Sequence, residues 1–217
     1  LVENGQSTRA LQGTLADLLR QRASELRATL DAAAHGPLVS AGSNVLAPID
    51  GETEVWAAGV TYKRSAEART EESSTPDIYT RVYEAKRPEI FFKATQRRVA
   101  GPGEPVVVRS DSTWDVPEPE VAIVVNAHAE IVGYTIANDV SSRSIEGDNP
   151  LYLPQAKVYD GSCALGPGIT PAWEISDPYG LGIRMRIHRA GRVHWSGETS
   201  MRGFARRLDD LVRALFL

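Results

Sequence analysis

Two carboxylates stand two residues apart in Trp114-Asp115-Val116-Pro117-Glu118-Pro119-Glu120, directly before the apolar run Val121-Ala122-Ile123-Val124-Val125. In a strand, residues i and i+2 share a face. Two carboxylates side by side repel each other, so one takes a proton or both share a cation. The apolar run anchors this edge in a core and argues against the alternative, an exposed acidic strand end. Glu118 and Glu120 are therefore read as half of a divalent-metal site.

The chain that follows supplies a third carboxylate. Asn126-Ala127-His128-Ala129-Glu130 reads as a turn, and Ile131 to Asp139 as the returning strand. With a loop from Ala127 to Glu130, Asn126 pairs with Ile131 and Glu118 falls opposite Asp139, on a shared face. A slip of one residue would turn Asp139 away. Three oxygen donors of this kind suit Mg²⁺, with Mn²⁺ or Ca²⁺ as substitutes, rather than zinc. His35, His128, His188 and His194 show no metal-ligand spacing. Lys157 would ordinarily be a surface residue. Beside a metal site it becomes a candidate general base or enolate stabiliser, its pKa lowered by desolvation and a nearby cation. Lys93, at the end of the apolar Ile90-Phe91-Phe92, would lose water on burial. A carboxylate or an anionic ligand is expected near it.

The elements that must hold these groups follow from periodicity. Leucines at helical spacing predict one amphipathic helix over Thr14 to Ala34, with Thr14 as N-cap and Gly36 as stop. Gly36 to Thr53 reads as a loop. Val55 to Tyr62 reads as a buried strand, and Val106 to Val108 as another. Lys63 to Ser74 is dense in charge and reads as a solvated helix or as a mobile segment over a pocket. Pro150 and Pro154 predict a non-helical path to a strand-like Lys157. Gly161 to Pro171 reads as turns, and residues 183–189 and 193–197 as a hairpin. A second amphipathic helix is expected from Ser200, with Met201, Phe204 and Leu208 on its apolar face. Cys163 reads as a small buried hydrophobe.

Length and composition set outer limits. The 217 residues, 42% hydrophobic with a formal net charge of -4, fit one large domain or a domain with an appendage. Mild acidity gives no reason to expect nucleic acid. No apolar run approaches the ~20 residues that cross a bilayer. The first residues lack the basic and apolar regions of a secretory leader. One cysteine suits a reducing compartment. The expected localisation is cytoplasmic.

Taken together, these residues resemble the fumarylacetoacetate hydrolase family. Its Glu-x-Glu pair, downstream Asp and later Lys would be Glu118, Glu120, Asp139 and Lys157. Further agreement lies in Gly59-Val60-Thr61-Tyr62, in Pro88 to Ala94, in Gly101-Pro102-Gly103-Glu104 and in Gly197-Glu198-Thr199-Ser200. The resemblance implies an α+β mixed β-roll or sandwich over residues 54–217, with a small helical appendage and linker over 1–53. Family members continue into a Gly-rich segment and closing strands, so the last part of the roll is expected to lie outside these residues.

Within the family, Trp114 to Glu120 and Pro150 to Tyr159 are similar to 2-keto-3-deoxy-pentonate dehydratases. Hydrolytic members carry a His, then a Glu three residues on, where this chain has Ser65 and Ala68. That favours dehydration over hydrolysis. The implied activity is a Mg²⁺-dependent hydro-lyase of pentose catabolism, forming 2,5-dioxopentanoate from a 2-oxo sugar acid. Lys157 is the expected base, with Glu67 or Glu71 of the charged segment as acid or base. Ser65, Arg64, Lys93 and Lys157 are assigned to substrate binding. A homodimer or homotetramer is expected, with no nucleic-acid or membrane partner. An acylpyruvate hydrolase, a 2-oxo acid decarboxylase and a metal-binding inactive relative remain as alternatives.

Overall fold

The computed structural model of the chain describes residues 1–4, 7–40, 42, 44–63, 65, 67, 70 and 77–216. Arg64 and Glu71, two of the expected site residues, lie outside that range. So does most of the charged segment.

The strands in chain order are β1 (Val2–Asn4), β2 (Ser7–Arg9), β3 (Glu54–Ala58), β4 (Ile90–Thr95), β5 (Val99–Ala100), β6 (Asp115–Val116), β7 (Pro119–Val125), β8 (Ile131–Asp139), β9 (Ser141–Ser142), β10 (Cys163–Pro171), β11 (Gly182–Arg189) and β12 (Arg192–Ser200). Helices Ala23–Ala34, Asp77–Glu84 and Leu208–Phe216 are the longest described, so the class is mixed α+β. The largest sheet runs β5-β10-β8-β7; β5 lies parallel to β10 and the other neighbours are antiparallel. No described helix is long and apolar enough to cross a membrane.

The β7–β8 hairpin positions the site. Pro119 pairs with Asn138 and Glu120 with Ala137, and the Asp139 amide donates to the Glu118 carbonyl at 2.9 Å. Glu118 is thus opposite Asp139, in the register that the turn arithmetic predicts. The irregularity falls at the far end, between Val124 and Val125, where Val125 and not the expected Asn126 pairs with Ile131. Asn126, fully buried at the turn, organises that end. Its side-chain oxygen accepts from the amides of His128 and Glu130, and its amide donates to Glu130 and to the Gln21 carbonyl.

The predicted first helix is two. Leu15–Leu18 and Ala23–Ala34 are separated by a break. Asp50 accepts from the amides of Leu15 and Ala16, and Thr14 caps the first helix with Asp17. The break frees carbonyls that the hairpin turn uses: Ala127 donates to Leu19, and the Glu130 carboxylate accepts from the Ala23 amide that opens the second helix. Tertiary bonding therefore overrides an unbroken leucine pattern. Leu18 and Leu26 still pack on Val132 of β8.

Several other expectations are corrected. Val106 to Val108 is not a strand. All three valines are exposed, and the segment is tied down through Val107, whose amide donates to the Gly161 carbonyl. Gly161 has φ +72°, and a Cβ there would meet the Val107 side chain at 2.6 Å, so this contact needs glycine. The strand at 55–62 is shorter, Glu54–Ala58, and only partly buried, with Trp56 exposed. Cys163 to Pro171 is a strand rather than turns, with a register break between Gly166 and Thr170. Lys157 ends a helix, Leu153–Lys157, instead of lying in a strand. Pro150 and Pro154 occupy the first turns of the short helices here, where the missing amide costs nothing. The last helix starts at Leu208 and not near Ser200, because Met201–Gly203 is a 3₁₀ turn and Ala205 bonds back to Thr61. The β11–β12 hairpin forms as expected, with Ala190-Gly191 at its turn.

Candidate active site

Burial of charge is concentrated where β8, β4 and the helix Leu153–Lys157 meet. Asp139 ends β8, Lys93 lies in β4 and Lys157 closes the helix; all three are buried. Buried charges persist only when paired and hydrogen-bonded, and here the pairing is dense. Lys157 Nζ donates to Glu118 Oε2 at 2.7 Å, to Asp139 Oδ2 at 2.9 Å and to Ser141 Oγ. Lys93 Nζ stands 2.6 Å from Asp139 Oδ1 and also donates to the Val140 carbonyl at 3.1 Å and to the Lys157 carbonyl. Arg143 Nη2 reaches Glu118 Oε1 at 3.2 Å.

The two ammonium groups differ in what they hold. Lys93 holds two backbone carbonyls and one carboxylate, so it knits β4 to the ends of β8 and of the Lys157 helix. Lys157 holds the side chains of Glu118, Asp139 and Ser141. Its Nζ also lies 5.7 Å from the Phe91 ring centre. Burial holds the Lys93 pKa below its ordinary value, and the Asp139 carboxylate partly opposes that shift. The expectation of a carboxylate beside Lys93 is met by Asp139. Bonded to two carbonyls and ion-paired with Asp139, Lys93 acts as a brace.

The expected residues are not all assembled at one point. Glu118, Asp139 and Lys157 are in direct contact. Glu120 shares the Glu118 side of β7 but faces Tyr62, whose hydroxyl is pushed up to about 12, first by burial and then by the Glu120 charge. A cavity of about 580 Å³ has Tyr62, Lys93, Glu120, Asn138 and Asp139 among its walls; Glu118 and Lys157 are not part of that lining. Glu67 is exposed, 4.0 Å from Lys63, and Ser65 is half-buried.

The fit of a cation can be judged from the donors. Among the described residues, no three of His, Cys, Asp and Glu stand arranged to hold a metal ion. Glu118 and Asp139 nevertheless converge on a single point, and a cation, the Lys157 ammonium, sits there. By charge, oxygen type and convergence these two carboxylates suit a hard divalent ion. Glu120, two residues from Glu118, supplies the nearest further carboxylate on the same strand.

Two residues of the cluster are missed by the sequence reasoning. Ser141 receives Lys157 and donates to the Asp139 carbonyl at 3.0 Å. Arg143 opens a short helix, Arg143–Asp148, capped by the Ser142 side chain. The signal was available: Ser141-Ser142-Arg143-Ser144-Ile145-Glu146 carries an N-cap residue with an acidic residue in the first turn, and that start places Arg143 just beyond Asp139.

Comparison with known proteins places the chain in a family. The chain matches the family described as fumarylacetoacetate (FAA) hydrolase C-terminal over residues 54–210. A "probable 2-keto-3-deoxyxylonate dehydratase" of Haloferax volcanii is 56% identical over 165 residues, which is 76% of this chain and 56% of that protein. The "2-dehydro-3-deoxy-D-arabinonate dehydratase" of Saccharolobus solfataricus is 46% identical over 172 residues, 77% of this chain and 57% of the relative. The chain therefore spans a little over half the length of these curated relatives. Among solved structures, 2-keto-3-deoxy-D-arabinonate dehydratase complexed with magnesium and 2,5-dioxopentanoate superposes with a TM-score of 0.83 at 35% identity, over 100% of this chain and 77% of that one. With a family match across most of its length and a shared fold, the chain belongs to the fumarylacetoacetate hydrolase C-terminal family.

Proposed function

We propose that the protein dehydrates a 2-keto-3-deoxy sugar acid, 2-keto-3-deoxy-D-arabinonate in the first instance, to 2,5-dioxopentanoate with Mg²⁺ as cofactor. One observation carries this reading: a buried lysine, Lys157, bonded at once to two carboxylates that can hold a cation, Glu118 and Asp139. Its support from outside is that relatives at 56% and 46% identity bear dehydratase names and that a structural neighbour holds magnesium and the dioxo product.

Glu118, Asp139 and Glu120 are the residues that would hold the ion. When bound, it supplies Lewis acidity toward the carboxylate and 2-oxo oxygens of the substrate and so acidifies C3. Lys157, desolvated and close to a cation, gives up its own proton to solvent and as the neutral amine takes the C3 proton. The C4 hydroxyl leaves with a proton from an acid, the role assigned to Glu67 or Glu71. The products are water and an unsaturated 2-oxo acid that tautomerises to the C5 aldehyde. Arg143 and Lys93 pair with Glu118 and Asp139 and keep them aimed. Ser65, in place of a histidine, leaves no base at that position to activate a hydrolytic water. Ser65 and Arg64 are assigned to the sugar-acid tail.

The test is turnover of a panel of 2-keto-3-deoxy sugar acids and of acylpyruvates, with Mg²⁺ and with excess chelator. Chelator-sensitive formation of 2,5-dioxopentanoate supports the reading. Hydrolysis of acylpyruvates without dehydration would replace it.

A further inference from the structure

The Lys157 ammonium and a divalent ion cannot share one position. Nζ stands 2.7 Å from Glu118 Oε2 and 2.9 Å from Asp139 Oδ2, where a metal would take the same two oxygens. We propose that Lys157 is an exchangeable placeholder for the cation: it holds Glu118 and Asp139 converged while the ion is absent, and it is displaced onto the Phe91 ring when the ion binds. This inference rests on the metal assignment proposed above.

The bonding pattern distinguishes the lysine that can leave from the one that cannot. Lys93 holds the carbonyls of Val140 and Lys157; moving it would take the side-chain donor from the Val140 carbonyl and leave the Lys157 carbonyl with the Ser162 hydroxyl alone. Lys157 holds two carboxylates and the Ser141 hydroxyl. An incoming divalent ion satisfies both carboxylates, and Ser141 keeps its own bond to the Asp139 carbonyl. The acceptors that Lys157 gives up all keep a partner. Asp139 keeps Lys93 on its other oxygen, and Glu118 keeps Arg143. The displaced ammonium also has a seat. It already lies 5.7 Å from the centre of the Phe91 ring, and ring faces attract ammonium groups. The exchange would hand the substrate a lysine released from its carboxylates at the moment the ion arrives. Lys157 would then be a positioning residue for the empty site before, with its proton lost to solvent, it is a base for the loaded one.

The test is Mn²⁺ and Mg²⁺ binding, read from free Mn²⁺ by electron paramagnetic resonance and from Mg²⁺ competition, with no substrate present. Removing the competing cation leaves two buried carboxylates short of one positive charge. Lys157→Met is expected to bind Mn²⁺ at least about tenfold more tightly than the wild type. Ser141→Ala, which loosens Lys157 without removing its charge, is expected to tighten binding by about threefold. Phe91→Leu removes the seat, so it weakens binding in the wild type but not in Lys157→Met. A merely structural lysine gives the opposite sign, weaker binding when it is lost. Unchanged or weaker binding in a cooperatively folding Lys157→Met overturns the exchange. If that variant does not fold, the absence of tightening in Ser141→Ala overturns it. Absence of Mn²⁺ and Mg²⁺ binding by every form removes the metal reading, and the exchange with it. Binding that ignores all three substitutions removes the exchange alone.

Discussion

Lys93→Met should be among the most damaging single substitutions in the chain, and its cost can be worked from the bonds it makes. Lys93 is 1% exposed, pairs with Asp139 at 2.6 Å and donates to two buried carbonyls. Methionine keeps most of the volume, so the packing change is small. Removing one partner of a buried ion pair costs ~3–5 kcal/mol. The Val140 carbonyl loses the Lys93 donor, a penalty of ~1–3 kcal/mol that relaxation partly recovers, while the Lys157 carbonyl keeps the Ser162 hydroxyl. Lys157 still holds the other Asp139 oxygen, which keeps the total near the lower end, ~4 kcal/mol. Against a typical domain stability of ~5–15 kcal/mol, that is a large fraction. The assay is urea unfolding followed by fluorescence of the four tryptophans, comparing midpoints at constant slope. A loss below ~1 kcal/mol, with the slope unchanged, would show that Lys93 is not the brace that the bonding pattern implies.

Three further outcomes follow. Cys163 is buried, and its thiol is pushed up from 9.0 to about 12; below pH 9 its contribution is fully present, and as pH rises through that window the unfolded thiol ionises first, so stability should fall by up to ~1.4 kcal/mol per pH unit. Cys163→Ala should flatten the slope between pH 9 and pH 10, below the range in which Tyr159, raised from 10.0 to about 12, begins to add to it; an unaltered slope counts against the assignment. Asp50→Ala removes the carboxylate that accepts from Leu15 and Ala16 at 2.6 and 2.7 Å and should cost ~1–2 kcal/mol of unfolding free energy; a change under ~0.3 kcal/mol in urea would contradict its capping role. Glu118→Ala should lower turnover of the 2-keto-3-deoxy acid by at least ~100-fold while leaving a folded protein, measured by product formation and circular dichroism.

The polar logic of the site was more legible than its scaffold. The pairing of Glu118 with Asp139 followed from where the turn residues Ala127 to Glu130 interrupt two apolar runs, because strand periodicity leaves only two registers and one buries the wrong face. The need for an acid beside Lys93 followed from its place after Ile90-Phe91-Phe92, since a buried ammonium must be paired. The helix carrying Lys157 was hidden because Pro150 and Pro154 were read as breakers, although proline is tolerated at a first helical turn. The break between Leu18 and Ala23 was hidden for another reason. Its cause lies about a hundred residues downstream, in Asn126 and Glu130, whose side chains take up the freed backbone groups. Ser141 and Arg143 escaped notice because their roles depend on Lys157 and Glu118 being brought to them by the fold. The fumarylacetoacetate hydrolase resemblance reached the family, while the occupation of the cation point by Lys157 was visible only in three dimensions.

The central claim is that the Glu118–Asp139–Lys157 cluster removes water from a 2-keto-3-deoxy sugar acid with the help of a divalent cation. Its most direct test is a carbon-13 NMR time course of the purified protein with 2-keto-3-deoxy-D-arabinonate, run with Mg²⁺ and again with excess chelator. The account predicts appearance of 2,5-dioxopentanoate with Mg²⁺ and none with chelator. An equal rate in chelator, or a persistent substrate signal alongside hydrolysis of acylpyruvates, would contradict it.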